Sequence, residues 1–175
     1  MFDFFKKIID YFDSRHIPYM LSGSIAMSMY VVARATRDID FVVHLQPKDV
    51  DDFVNYFEGA YYCSKEAVVD AIQRQSMFNV LDHATGYKAD FVIRKNSEYR
   101  LVEFERKQII EFYGLKVNIV SQEDLLISKI IWIQQLQSGV QMEDIKNLSL
   151  IPDLHWDYIN AWIKKLNLNT FNLFR

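Results

Sequence analysis

Two aspartates stand one residue apart in the segment TRDIDFVV, whose other residues are typical of a β-strand. Because side chains alternate between the two faces of a strand, Asp38 and Asp40 are expected together on one face, opposite the apolar residues beside them. Two like charges this close repel each other, and a divalent metal ion held by carboxylate oxygens would offset them. A strand end whose aspartates simply face water is the alternative, and it is the more frequent explanation for an isolated Asp-x-Asp pair.

A third aspartate strengthens the metal interpretation. Asp90 lies in a second strand-like segment, KADFVI, in which Ala89, Phe91 and Ile93 have the opposite phase and are expected in the core. If the two strands are neighbours, three carboxylates converge on one surface. Such a set can hold two metal ions, and Mg²⁺ or Mn²⁺ is the predicted cofactor because both prefer oxygen ligands.

A glycine-serine pair precedes the segment SIAMSMYVVA, which is predicted to form a buried helix. Gly23 permits close approach of the backbone to a ligand, Ser24 offers a hydroxyl, and the start of a helix presents free N–H groups to an anion. This combination suits a triphosphate beside a metal site. Ordinary helix capping by Ser22 or Ser24 is the alternative explanation.

Taken together, these features resemble the signature of the polymerase-beta-like nucleotidyltransferase superfamily. The shared features are Gly23-Ser24, thirteen intervening residues, Asp38-x-Asp40 at the start of a strand, and Asp90 in a later strand. The segment RATRDIDFVV looks most like small bacterial nucleotidyltransferases related to the AbiEii toxins of toxin–antitoxin systems. The resemblance covers roughly residues 19–148.

The resemblance implies an enzyme that transfers an NMP from an NTP to an acceptor hydroxyl, with release of pyrophosphate. Asp38 and Asp40 would hold one ion, a second ion would be shared with Asp90, and Asp90 would also be the catalytic base. Gly23 and Ser24 would hold phosphates. Candidate acceptors are tRNA, a protein hydroxyl or a small molecule such as an aminoglycoside, and an antitoxin protein is a candidate partner. A nucleotide-binding module without turnover is the alternative from another class.

Four further residues have predicted roles. Lys129, in EDLLISKIIW, and Asp144, in QMEDIKNL, stand in settings similar to a lysine and an aspartate of the AbiEii-like relatives. Lys129 would neutralise the triphosphate, with a solvated helix position as the equal alternative; for Asp144 the alternative is a surface acid. Arg34 and Arg37 could contact phosphate, although salt bridges to nearby acids explain them as well.

The elements that position these residues follow from the hydrophobic pattern. A helix from about Phe2 to Ser14, a short strand, the buried helix, the Asp38–Asp40 strand, two helices and two hairpins are followed by helices alone from Ser121. We predict an α/β (α+β) fold in which a nucleotidyltransferase-like mixed β-sheet is flanked by helices. Residues 1–120 would form the core and residues 121–175 a helical segment packed on it, in one compact unit.

Composition limits the remaining possibilities. The chain has 175 residues, 50% of them hydrophobic, and a formal net charge of -3, so it lacks the global basic character of many nucleic-acid-binding proteins. One basic concentration weakly suggests a surface for an RNA acceptor, with a solvated hairpin as the alternative: Arg94, Lys95, Arg100, Arg106 and Lys107. A single cysteine, Cys63, excludes an internal disulfide. Charges within the N-terminal apolar run argue against a signal peptide, and a cytoplasmic protein without membrane association is expected.

Overall fold

A computed structural model describes residues 1–31 and 35–174 of the chain. Seven strands, numbered in chain order, form one sheet in this part of the chain: β1 (Tyr19–Ser22), β2 (Asp38–Val43), β3 (Tyr61–Tyr62), β4 (Met77–Asp82), β5 (Lys88–Ile93), β6 (Gln108–Phe112) and β7 (Leu115–Ile119). The α-helices are α1 (Phe2–Arg15), α2 (Gly23–Met27), α3 (Val50–Phe57), α4 (Lys65–Arg74), α5 (Glu98–Glu105), α6 (Gln122–Ile133), α7 (Gly139–Ser149) and α8 (Trp156–Lys165), with a short 3-10 helix over Pro47–Asp49.

The strands are arranged in the order β3-β4-β5-β2-β1-β7-β6, and the sheet is mixed. β2 pairs antiparallel with β1 and parallel with β5, and β1 pairs parallel with β7. Asp40 is directly opposite Asp90 in the parallel β2–β5 pair. The predicted α/β fold with a mixed sheet flanked by helices is therefore confirmed, and the two aspartate-bearing strands are neighbours inside the sheet.

The core forms where alternate residues of the central strands meet the first helices. Phe41 of β2 and Phe91 of β5 are completely buried and stack with ring centroids 5.8 Å apart. Phe12 of α1 contacts both rings edge-on, and Phe53 of α3 contacts Phe91 in the same way. This aromatic packing fixes which face of β2 and β5 is apolar. The opposite face is left to the aspartates, as the alternation of side chains requires.

Both predicted hairpins are present, as the antiparallel pairs β4–β5 and β6–β7. Tyr113 and Gly114 connect β6 to β7 with φ angles of 48° and 79°. Positive φ at both central residues is the requirement of a type I′ hairpin turn.

Three local features differ from the expectation. α2 ends at Met27, whereas the predicted helix continued to Ala33, whose position lies outside the described residues. The Ser28 hydroxyl donates to the Ile25 carbonyl at 2.6 Å and competes with regular helical bonding. β3 and α5 were not predicted from the sequence. α5 buries Glu103 between apolar neighbours, so it lacks the continuous apolar stripe that identifies a helix in a sequence.

A fully buried carboxylate joins the C-terminal helices to the rest of the molecule. Asp124, in the first turn of α6, accepts hydrogen bonds from the hydroxyls of Ser121 at 2.7 Å and Tyr158 of α8 at 2.6 Å. Arg106, directly after α5, donates to the same carboxylate at 2.9 Å. The division at residue 120 remains a prediction. Among residues 1–31 and 35–174, no helix has the length and apolar character needed to cross a bilayer.

Candidate active site

Four ionisable side chains share the polar face of β2 and β5. Asp38 is opposite Lys88, and Asp40 is opposite Asp90, so the four groups form two adjacent cross-strand pairs. The structure thus brings the three predicted aspartates to one surface. It also adds Lys88, which the sequence reading missed. Strand alternation could have revealed it, because Lys88 is two residues before Asp90 and has the same phase.

Asp90 is the most buried acid of this group. Its Oδ2 accepts a hydrogen bond from Nζ of Lys88 at 2.8 Å, and the same Nζ lies 3.6 Å from Oδ1 of Asp38. The other oxygen of Asp90, Oδ1, is buried and has no hydrogen-bond partner among the described residues. A buried, unsatisfied carboxylate oxygen is energetically costly, and it points to a ligand that would satisfy it.

Asp40 is held in an environment that opposes its negative charge. Burial, followed by the charges of Asp90 and Asp38, raises the pKa of Asp40 to about 6. The positive charge of Lys129 and a hydrogen bond from the backbone N–H of Ser24 act in the other direction. Asp40 is therefore partly protonated near pH 6, and a cation bound beside it would restore its charged form.

Gly23, at the start of α2, is required by its contact with Asp40. It has a φ of 64°, and a Cβ atom placed on it would lie 1.9 Å from Oδ2 of Asp40. The space beside the glycine is thus filled by a carboxylate of this same site. Helix capping by Ser22 is not observed. Ser22 is the N-cap residue of α2, but its side chain makes no capping hydrogen bond to a described residue. Ser24 is inside the helix, and its backbone N–H is bound to Asp40.

Lys129 and Asp144 form a buried ion pair between α6 and α7. Nζ of Lys129 is 2.8 Å from Oδ2 of Asp144 and 3.1 Å from Oε1 of Gln141. The side chains of Lys129 and Asp144 are only 7% and 3% exposed. The interpretations of Lys129 as a solvated lysine and of Asp144 as a surface acid are therefore wrong. The ammonium of Lys129, which is paired with Asp144, lies close enough to Asp40 to lower the pKa of the Asp40 carboxyl.

A cavity of about 300 Å³ extends from these residues along the polar face of the sheet. It is lined by the Ser22–Ser24 segment, Asp40 and Lys129. The other charged residues of its lining are Arg94, Lys95, Arg100 and Glu103, and α6 also contributes Ser128 and the half-exposed Trp132.

The charged residues Arg94, Arg100 and Glu103 of the cavity lining are not equivalent. Arg100 pairs with the buried Glu103 at 2.8 Å and bonds to Ser128 at 2.6 Å, and the Ser128 hydroxyl also donates to Glu103. Nε of Arg94 is buried and has no hydrogen-bond partner among the described residues. The five basic residues that lie close together in the sequence therefore do not all lie at one site in the structure. Three of its members line the cavity, whereas Arg106 is engaged in the Asp124 network.

The donor set fits a divalent ion in its chemistry. Three carboxylates share one surface, and one of their oxygens is buried without a partner. In the described parts of the chain, however, no group of three or more His, Cys, Asp or Glu side chains is arranged to hold a metal ion. The ammonium of Lys88 is the cation that contacts Asp38 and Asp90 here. The ligand roles of the three aspartates remain predictions.

Arg37, directly before β2, does not line the cavity. Arg37 is exposed, and its carbonyl accepts a hydrogen bond from the backbone N–H of Lys88 at 3.4 Å. Its predicted contact with phosphate remains a prediction. Arg34 lies outside the described residues.

Solved nucleotidyltransferases share this fold. ANT(2'')-Ia in complex with adenylyl-2''-tobramycin is 13% identical, with 94% of this chain and 95% of that chain covered and a TM-score of 0.60. The lincosamide antibiotic adenylyltransferase LnuA, bound to lincomycin, is 16% identical over 82% of this chain and 93% of that chain, with a TM-score of 0.50. An antigenic nucleotidyltransferase-like protein from Paracoccidioides brasiliensis is 16% identical, with 91% of this chain and 83% of that chain covered and a TM-score of 0.50. At these identities the similarity concerns the fold.

The chain belongs to the family described as nucleotidyltransferase of unknown function (DUF6036), which matches residues 1–173. The predicted enzyme class, nucleotidyltransferase, is thereby confirmed. The finer resemblance to AbiEii-like toxins remains a prediction. No curated protein matches the chain significantly.

Proposed function

We propose that this nucleotidyltransferase moves an NMP from an NTP to an acceptor hydroxyl and depends on Mg²⁺ or Mn²⁺. The observation that carries the proposal is the pairing of Asp40 with Asp90 on one polar face, with an unsatisfied Asp90 oxygen buried beside them. When bound, the divalent ions supply charge neutralisation and make the acceptor hydroxyl more acidic.

Each residue of the site has a distinct role in this proposal. Asp38 and Asp40 would hold the ion that binds the nucleotide, and Asp90 would help to hold a second ion and accept the proton of the acceptor hydroxyl. Lys129, held by Asp144, neutralises negative charge on the triphosphate. Ser24 lines the cavity, and in this proposal its hydroxyl donates a hydrogen bond to a phosphate oxygen. Arg37 is a further phosphate contact from the surface.

The charged residues that line the cavity indicate which kind of acceptor it favours. Its basic lining residues are Arg94, Lys95, Arg100 and Lys129, and its acids are Asp40 and Glu103, of which Glu103 is paired with Arg100. Such a surface favours an anionic acceptor and disfavours a polycation such as an aminoglycoside. The leading proposal is therefore a macromolecular acceptor, with tRNA ahead of a protein hydroxyl, in a cytoplasmic toxin–antitoxin setting with an antitoxin partner.

A small-molecule acceptor is the second candidate, because tobramycin and lincomycin adducts or complexes are known for two proteins of the same fold. The similarity to these proteins is limited to the fold, and the basic residues in the cavity lining argue against tobramycin itself. A nucleotide-binding module without turnover is the third candidate. The presence of all three aspartates on one face argues against it.

The decisive experiment is label transfer. The protein is incubated with each α-labelled NTP and Mg²⁺, and with total RNA, cell-extract protein, tobramycin or lincomycin as the acceptor. We expect label on RNA, and none with the Asp90→Asn variant. Asp70→Asn, which removes an exposed acid of α4 paired with Arg74, is the matched control and should retain activity. No label on any acceptor, together with no Mg²⁺-dependent nucleotide binding in calorimetry, would contradict the proposal.

A further inference from the structure

Lys88 occupies a position that the proposed metal chemistry leaves unexplained. It is opposite Asp38 on the neighbouring strand and two residues before Asp90 on its own strand, so all three side chains emerge from the same face. Its Nζ is 2.8 Å from Oδ2 of Asp90 and 3.6 Å from Oδ1 of Asp38. One ammonium group therefore bridges two of the three carboxylates.

Asp40 has different partners from the other two aspartates. Its carboxylate accepts a hydrogen bond from the backbone N–H of Ser24 and interacts with the positive charge of Lys129. Lys88 instead pairs with Asp38 and Asp90. The three carboxylates carry up to three negative charges, and Lys88 offsets one. The remainder corresponds to the charge of a single divalent ion. Two divalent ions would have to compete with the ammonium for the same oxygens.

We propose that Lys88 is a built-in cation that takes the place of one of the two divalent ions in the nucleotide-free protein. The site then binds one ion, through Asp40 and Asp38, while the ammonium of Lys88 stays at Asp90, 2.8 Å from its Oδ2. This inference rests on the proposed function, because it presumes that the aspartates bind divalent ions. Lys88 is thus a positioning residue, and its flexible stem and partial exposure allow it to leave Asp90 when substrates bind.

The test is a count of bound Mn²⁺ ions in the full chain without nucleotide, by calorimetry and by the spin-resonance signal of free Mn²⁺. We expect wild type to bind one ion and Lys88→Met to bind two. The first ion should bind Lys88→Met about tenfold more tightly, because a competing cation has been removed. Lys88→Arg, which retains the charge, should bind one ion as wild type does.

Two controls separate this effect from a general loss of positive charge or of folding. Lys65→Met removes an exposed lysine that is paired with Asp51 away from the site, and it should leave the ion count at one. Melting of metal-free Lys88→Met, followed by circular dichroism, shows whether the variant is folded. If it is unfolded without metal, Lys88→Gln, which keeps a polar side chain but carries no charge, takes its place and should likewise bind two ions.

The outcomes distinguish this inference from the proposed function. Two ions bound to wild type, or one ion bound with unchanged affinity to a folded Lys88→Met, would overturn the role of Lys88 and leave the metal-dependent function standing. No ion bound to either protein, with or without NTP, would overturn both.

Discussion

Asp40 is the residue on which the candidate site depends most directly. It is buried and faces Asp90 and Asp38, and these surroundings raise its pKa to about 6. A carboxylate in this state weakens the fold at neutral pH, because its charged form is disfavoured where it lies. The same repulsion favours a bound cation. The cost to stability and the affinity for metal therefore have one physical origin.

Replacing Asp40 by Asn should separate these two effects. The amide retains an oxygen for the N–H of Ser24 but carries no charge, so metal-free Asp40→Asn should be more stable than wild type at pH 7. We expect a gain on the order of 1–3 kcal/mol in urea unfolding. The increase in melting temperature caused by Mg²⁺-NTP should be lost. A variant that keeps this increase would show that Asp40 is not a metal ligand, and Asp70→Asn is the control.

The raised pKa of Asp40 also predicts a pH dependence. A carboxyl whose pKa is higher in the folded state than in the unfolded state binds protons more strongly when folded, so this group favours folding as the pH falls. Its contribution to the stability of metal-free wild type should increase as the pH is lowered through about 6 toward the ordinary aspartate range. The charged groups around it are Asp38, Asp90, Lys88 and Lys129.

The measurement compares urea unfolding of wild type and Asp40→Asn at several pH values. The difference between the two proteins should become smaller as the pH falls below about 6. Mn²⁺ affinity of wild type should decrease over the same interval, because protons and metal compete for Asp40. A difference in stability that does not change with pH would contradict the assignment.

At the scale of secondary structure, the site depends on close contacts between neighbouring elements. The start of α2 lies against β2 so closely that only a glycine fits at position 23. α6 and α7 are joined by the buried pair of Lys129 and Asp144. Both contacts stabilise the fold and position a proposed functional group, and each can be tested with a variant that separates the two roles.

Gly23→Ala should destabilise the protein more than the same change at Gly86. Both glycines have positive φ, 64° and 70°, so both alanines experience backbone strain of about 1–2 kcal/mol. The added Cβ at Gly23 would also collide with Asp40, whereas a Cβ at Gly86 has no atom within 4 Å. We expect loss of the Mg²⁺-NTP-induced melting shift only for Gly23→Ala. Equal destabilisation of the two variants in urea would argue against the close contact.

Lys129→Met should destabilise the protein by roughly 3–5 kcal/mol, because it leaves Asp144 buried without its ammonium partner. The double variant Lys129→Met with Asp144→Leu should recover much of this loss, since no buried charge remains. Both variants should bind Mg²⁺-NTP more weakly than wild type, because Lys129 is proposed to contact the triphosphate. Urea unfolding and calorimetry with Mg²⁺-NTP provide the two measurements. Full nucleotide affinity in the double variant would show that the pair is purely structural.

At the scale of the whole molecule, the Asp124 network joins α6 and α8 to the end of α5. The structure offers separate reporters for the two sides of this junction. All three tryptophans lie after residue 120, whereas the only cysteine, Cys63, lies in the proposed core. Partial burial raises the pKa of the Cys63 thiol to about 11, so little of it is reactive thiolate at neutral pH while the protein is folded.

We expect wild type to unfold as one unit. Tryptophan fluorescence and the reactivity of the Cys63 thiol should change at the same urea concentration, as coincident probes do in a two-state transition. Tyr158→Phe, which removes a 2.6 Å hydrogen bond to Asp124, should reduce the free energy of unfolding by about 1–3 kcal/mol. Fluorescence that changes well before the thiol becomes reactive would show that residues 121–175 unfold separately.

The sequence by itself determined the local features of this protein. Strand alternation placed Asp38 and Asp40 on one face and put Asp90 in phase with its polar face, and turn residues identified both hairpins. These predictions succeeded because they depend on backbone geometry over a few residues. α2 and α5 were less predictable, because a serine side chain shortens the first and a buried acid interrupts the apolar pattern of the second.

Only the tertiary structure decided which side chains meet. The contact of Lys88 with Asp38 depends on the parallel pairing of β2 and β5, whose partners are about fifty positions apart in the chain. The burial of Asp144 depends on the packing of α7 against α6, and the need for glycine at position 23 depends on Asp40 of the adjacent strand. These contacts are set by the arrangement of complete elements around the aromatic core, and a local sequence pattern carries no information about that arrangement.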